Sequence, residues 1–211
     1  MIIIENQYFA PVNYYVALFE NTHCKIEQFE AYQKMSFRNR CIVVGSNGLI
    51  NLTIPVEGGR NSRQLVKDIK ISYSEAWQDR HWKAIVSSYA KAPFFEYYKH
   101  VAEKLIKKQD AFLLDKNMAI LAWLKKVFHL PTEIELTNEY VDTMSVGEKD
   151  FRNHWLPKNY KDVDSSQVVY NQVFESKLGF KKNASIMDLL FCEGPNAKDL
   201  LKAAATGNEA G

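Results

Sequence analysis

The sequence predicts a mixed α/β or α+β fold, with a strand-rich N-terminal part followed by a mostly helical middle and C-terminal part. Two observations carry this. Short apolar runs punctuated by Gly, Asn and Pro occupy the chain up to Val56, the pattern of strands and turns. From Ser74 the apolar spacing lengthens to three and four residues, the helical period, in segments stopped by Pro93, Pro131 and Gly194-Pro195. Strands gathered early and helices late fit a mixed architecture better than a regular βαβ repeat. One domain is expected over residues 1–205, with an irregular subregion over about 147–205 and a small polar tail, 206–211, expected to be disordered.

The chain opens with the apolar strand Ile2–Ile4. It passes through the polar-aromatic turn Glu5-Asn6-Gln7-Tyr8-Phe9 into a helix carrying Tyr14, Tyr15, Leu18 and Phe19. Pro11 suits the first helical position, where the N–H that it lacks would have no partner. A strand handing over to a helix through such a turn marks the edge at which open α/β sheets bind ligands, the carboxyl ends of the strands. Cys24–Phe29 reads as a second strand. Arg40–Val44 and Ile50–Val56 read as a hairpin turned by Gly45-Ser46-Asn47-Gly48, in which Asn-Gly is the hairpin signal. Glu57–Arg63 is a Gly-containing polar loop, and Ile69–Ser72 alternates as a short further strand.

Ser74 is placed to cap a helix in which Trp77, His81, Ile85 and Ser88 share one face. After Pro93 a second helix spans about Phe94–Lys107. A third, Leu113–Phe128, carries Lys125 and Lys126 in its last turn, where the helix dipole favours cations. Thr132–Leu136 reads as a strand, and Val168–Phe174 as extended or helical. Asn183-Ala184-Ser185 caps an apolar helix over Ile186–Cys192, and a last amphipathic helix runs from Asn196 to about Ala205.

A net charge of +2 argues against a nucleic-acid or anionic-membrane partner. No run reaches the roughly 20 apolar residues that span a bilayer, and the N-terminus lacks the basic-then-apolar pattern of a secretory leader. Cys24, Cys41 and Cys192 are odd in number and far apart. They read as reduced, buried thiols rather than a disulfide framework or a zinc site. A cytoplasmic protein is expected; the sequence specifies neither a metal cluster, nor a cofactor, nor an oligomeric state.

GxGxxG, GxxxxGK[ST], HExxH and GxSxG are absent, which weakens dinucleotide, P-loop, zincin and hydrolase readings. Among the five histidines, His81 stands out, on a helix between Trp77 and Trp82. A desolvated histidine with one polar partner can act as a general base; a histidine packed in an aromatic core is the plainer alternative. The stretch Tyr32–Arg40 interleaves cations with aromatics. Lys34 and Arg40 suit a phosphate or carboxylate, with Asn39 beside them, although a solvated loop has the same composition. Phe94, Phe95, Tyr97 and Tyr98, close after Tyr89, form an aromatic corner: the wall of a sugar or base pocket, or simply core.

Taken together, these pieces resemble the WbqC-like family of bacterial proteins. The resemblance rests on Gln7-Tyr8-Phe9-Ala10-Pro11, Lys34-Met35-Ser36 with Asn39-Arg40, and Leu52-Thr53-Ile54-Pro55-Val56. It continues through Trp77 with His81, Tyr89 with Ala92-Pro93-Phe94-Phe95, and Ser185–Leu190 with Glu193-Gly194-Pro195. It departs at Tyr8, where the family often has a proline after the glutamine. The resemblance implies a role in surface-polysaccharide (O-antigen-type) biosynthesis, as an acyl or aminoacyl transferase acting on a nucleotide-activated amino sugar. It also implies that Gln7, Lys34, Asn39, Arg40, His81 and Tyr89 are motif residues. On that scheme His81 removes a proton from the sugar amine, and Arg40 with Lys34 holds a diphosphate or carboxylate. Gln7 and Asn39 orient polar groups, while Tyr8 and Tyr89 line the pocket. The expected partner is a small molecule, a nucleotide sugar or an acyl donor. The alternatives are a non-catalytic sugar- or nucleotide-binding module and a scaffold in polysaccharide assembly.

Overall fold

The computed structural model describes residues 1–58, 64–163 and 168–207. In chain order the first elements are β1 (Ile2–Glu5), α1 (Val12–Glu20), β2 (His23–Glu27), β3 (Arg40–Gly45), β4 (Gly48–Thr53) and α2 (Trp77–Tyr89). Then come α3 (Phe95–Lys107), α4 (Leu113–Phe128), β5 (Glu133–Leu136), β6 (Lys149–Asp150), α5 (Glu175–Leu178), α6 (Ile186–Glu193) and α7 (Ala197–Gly207). The class is mixed α/β, as expected. Two late strands return to the N-terminal sheet, whose order is β5-β2-β1-β6 with every pair parallel. Strands β3 and β4 form a separate antiparallel hairpin, with Gly45 opposite Gly48 across Ser46-Asn47.

β1 is central, and all four of its residues are buried, so three consecutive isoleucines suit it better than an alternating pattern would. β5 lies at the sheet edge and turns Glu133 and Glu135 outward, which keeps that edge from pairing with another chain. Helix α6 is buried from Ile186 to Cys192, with its one buried carboxylate, Asp188, accepting from the Tyr170 hydroxyl and Gln172 Nε2. It packs against α1, α3 and α7, and Ser185 caps it: its Oγ accepts from the Met187 N–H and donates to the Phe9 carbonyl at 2.9 Å. That bond ties the turn after β1 to the C-terminal helices. The carboxyl end of α3 is closed by side chains. Gln78 Nε2 donates to the Ile106 and Lys107 carbonyls, and the buried Lys116 ammonium donates to the Leu105 carbonyl and pairs with Asp110.

Several boundaries differ from expectation. Pro11 occupies the N-cap of α1 rather than its first turn, and its backbone bridges Ser185. Ser74 does not cap α2; Ala76 precedes its first turn, and the Ser74 hydroxyl pairs with Ser72. Ile69–Ser72 makes only isolated bridges, Val56 to Ile71 and Lys70 to Phe112, because a 3-10 turn over Val66–Asp68 and the start of α4 take its backbone partners. The first residues of the expected disordered tail, Thr206 and Gly207, finish α7; residues 208–211 lie outside the described residues, as do 59–63 of the polar loop. All three cysteines are free and buried. No helix among the described residues is long and apolar enough to cross a membrane.

Candidate functional site

β1 and β2 both end in Ile-Glu, and their parallel register sets Glu5 beside Glu27 at the carboxyl edge of the sheet. Both carboxylates are fully buried. Glu5 Oε1 accepts from Gln7 Nε2 at 2.7 Å, and Oε2 accepts from the Asn153 N–H at 2.8 Å. Glu27 Oε1 accepts from the Phe29 N–H and Thr137 Oγ1. Its Oε2 accepts from the Val141 N–H at 3.0 Å and lies 3.5 Å from Arg152 Nη1. A third carboxylate, Glu30, takes two bonds on Oε1 from the wholly buried Arg38, from Nε at 3.0 Å and Nη2 at 2.5 Å. Burial pushes the Glu30 acid up; Arg38 opposes this, and nearby Glu5 and Glu27 add to it.

This polar centre is not saturated. Both amide atoms of Asn6, Gln7 Oε1, Arg38 Nη1 and Asn153 Oδ1 are buried without a hydrogen-bond partner among the described residues. So are Asn39 Oδ1, on the segment where the Tyr8 N–H binds the Phe37 carbonyl, and Asn117 Oδ1 of α4, whose Nδ2 donates to the Arg38 carbonyl. Each such atom costs on the order of 1–3 kcal/mol, so their accumulation at one sheet edge points to a polar ligand as the missing partner. Phe9 and Asn153, at φ 41° and 59°, hold left-handed backbone beside the same edge, a strain typical of binding turns.

The residues expected from the sequence divide into three groups. Tyr8 and His81 meet, whereas the Gln7 amide turns to Glu5. The Tyr8 hydroxyl lies 3.2 Å from His81 Nδ1, and His81 Nε2 lies 3.2 Å from the Thr53 carbonyl. A carbonyl only accepts, so Nε2 carries the proton and Nδ1 accepts from Tyr8. Burial lowers the imidazole to about 4, so at neutral pH it is uncharged. The Tyr8 N–H donates to the Phe37 carbonyl at 2.9 Å, a bond that a proline at this position would lack.

Asn39 and Arg40 lie on the flank. Asn39 Nδ2 donates to the Ile54 carbonyl, and Arg40 lines a cleft of about 340 Å³ with Met35, Asn51, Lys158, Tyr160 and Lys161. Arg40 Nε is buried there without a partner among the described residues, and Tyr160 packs edge-on against Phe37. Lys34 is exposed one residue before Met35 and is not part of the lining. Tyr89 stands apart, in the core, where its hydroxyl accepts from the Val44 N–H and its ring packs on Phe191. Of the aromatic corner, Phe95 is core, whereas Tyr97 is 76% exposed.

The profile of the WbqC-like protein family matches residues 7–149, about two-thirds of the chain. The chain belongs to the WbqC-like protein family. The match takes in Glu27, Glu30, Arg38 and the Tyr8–His81 pair, and begins after Glu5. This WbqC-like chain is also 27% identical over 198 residues to an uncharacterised protein of Mycobacterium tuberculosis, covering 81% of this chain and 84% of the relative. No solved structure matches it.

Sequence reasoning missed Glu5, Glu27, Glu30, Arg38 and Arg152 as site residues. A signal existed for two of them: a carboxylate closing an apolar strand, repeated as Ile4-Glu5 and Ile26-Glu27, places an ionisable group where a sheet edge binds ligands. Among the described residues, no group of three or more His, Cys, Asp or Glu is arranged to hold a metal ion.

Proposed function

We propose that this WbqC-like chain serves surface-polysaccharide assembly by binding a nucleotide-activated amino sugar at the carboxyl edge of its parallel sheet and transferring an acyl or aminoacyl group to the sugar amine. The observation that carries this reading is the unsaturated polar centre at the ends of β1 and β2 beside a cation-lined cleft. The cleft cations Arg40, Lys158 and Lys161 suit a diphosphate. Gln7 and Asn39 offer unpaired amide oxygens to sugar hydroxyls. His81 fixes the Tyr8 turn, and accepting a proton on Nδ1 requires Tyr8 to let go of it.

Calorimetric titration with nucleotide sugars tests this. Arg40→Ala is expected to weaken binding by at least about tenfold, the worth of one charge-assisted bond. Failure of every nucleotide sugar to bind the wild-type protein overturns the reading. The occupied nitrogens of His81 favour a second one, a module that holds the sugar for a partner enzyme; a bound sugar that yields no acylated product with any activated acyl donor selects it.

A further inference from the structure

We infer that Glu30 is the group that holds the ammonium of the amino-sugar ligand and takes its proton, beside the buried carboxylates of Glu5 and Glu27. This rests on the amino-sugar reading above and names the residue that distinguishes an amine from a hydroxyl.

Charge is the first argument. Three carboxylates, Glu5, Glu27 and Glu30, meet two guanidiniums at the strand ends, and one of these, Arg152, is already shared with Asp150 at 2.6 Å. Among the described residues that cluster holds negative charge in excess, which repels a diphosphate and attracts a cation. The phosphates then belong on the Arg40 side and the amine at the strand ends.

Hydrogen bonding is the second. The unpartnered Gln7 Oε1 and Asn153 Oδ1 sit on the residues that bind Glu5, and both atoms are acceptors. An ammonium brings three donors and no acceptor, which is the complement such atoms lack.

The third argument selects Glu30 among the carboxylates. Glu5 and Glu27 accept bonds on both oxygens and have no exposed surface. Glu30 takes both Arg38 bonds on Oε1, so Oε2 accepts nothing from the described residues, and its side chain keeps 9% exposure. Arg38 holds the carboxylate in place through Oε1 and leaves Oε2 open among the described residues. The raised acid of Glu30 also narrows the gap to the amine that must be deprotonated.

The step balances simply. The ammonium gives one proton to Glu30 Oε2, and the neutral amine attacks the carbonyl of an activated acyl ester or thioester. A C–N bond forms, the bond to the leaving group breaks, and the second proton of the nitrogen departs with that leaving group as alcohol or thiol.

The test is calorimetric binding of UDP-glucosamine and UDP-glucose, which differ only in amine against hydroxyl, to wild type, Glu30→Gln and Glu30→Asp. Wild type is expected to prefer the amine by about tenfold or more, Glu30→Gln to bring the ratio near one, and Glu30→Asp to restore part of it. Equal binding of the two sugars by wild type, or a preference retained in Glu30→Gln, overturns the inference alone. Binding of neither sugar by wild type overturns the amino-sugar reading and the inference with it. Should Glu30→Gln fail to fold, the wild-type ratio and the Glu30→Asp ratio decide: a folded Glu30→Asp protein with the full wild-type preference overturns the inference, since shortening the carboxylate must weaken a direct contact.

Discussion

Acid sets His81 against its own surroundings. Burial pushes the imidazole down to about 4 from its ordinary 6.5; the bond to the Thr53 carbonyl opposes this, and Arg80 adds a smaller repulsion. The unfolded chain takes up the same proton at the ordinary value. The folded state therefore binds that proton less readily, and its stability is complete above about pH 6.5. It falls as the pH drops toward 4, below which both states are protonated and the loss stops. At about 1.36 kcal/mol per pH unit, the interval corresponds to ~3 kcal/mol. His81→Gln isolates this contribution, because an amide can donate to the Thr53 carbonyl and accept from Tyr8 but does not titrate. Urea unfolding of both proteins from about pH 7.5 to 4 should show wild type losing about 3 kcal/mol more than the variant, with the other histidines cancelling. Parallel stability curves, differing by less than about 1 kcal/mol over that range, refute the burial argument and return His81 to the list of groups that protonate near neutrality.

Lys116→Met removes the wholly buried ammonium that pairs with Asp110 at 2.9 Å and bonds the Leu105 carbonyl at 2.8 Å. Breaking a buried pair from one side costs about 3–5 kcal/mol, to be read as a lower urea midpoint at unchanged slope; a loss below about 1 kcal/mol contradicts it. Gly194→Ala places a methyl 2.4 Å from the Phe94 ring at φ 53°, whereas Gly179→Ala, at φ 68°, meets open space. The first should therefore destabilise by at least about 2 kcal/mol more than the second in the same assay, and equal costs rule out the clash. Cys24 and Cys192 are pushed up to about 12 by burial, and Cys41 higher still. Ellman's reagent at about pH 8 should therefore find three thiols only after denaturation, and prompt reaction of the native protein shows that the thiols are accessible.

The parts of the fold that were legible are those in which side chains decide the structure. The isoleucines of β1, the stripe of α4 and the Ser185 cap each state their element in residue types, and α4 begins and ends where its apolar period does. β6 was not legible, because Lys149–Asp150 has no strand composition and joins the sheet only through backbone bonds to the open side of β1. Of the candidate site, the turn after β1 is legible as a ligand-capable sheet edge, whereas the pairing of Arg38 with Glu30 is not. Backbone direction alone sends Arg38 into the interior toward Glu30 and leaves Arg40 on the cleft wall, and two arginines in one basic stretch carry no mark of that difference. Tyr89 illustrates the converse: a hydroxyl that reads as a ligand group is spent on the Val44 N–H.

The central position of β1 has a consequence for the making of the protein. One of its neighbours, β2, follows after a single helix, but the other, β6, begins only at Lys149. At about 5–20 residues per second, a ribosome needs roughly 7–30 s to bridge that distance. For that interval the Ile2–Ile4 backbone has an open flank of the kind that recruits foreign strands, and Arg152 and Asn153 have yet to reach Glu27 and Glu5. The nascent chain is thus most exposed to mispairing while its two strand-end glutamates still lack their late partners, and one late segment ends both conditions together.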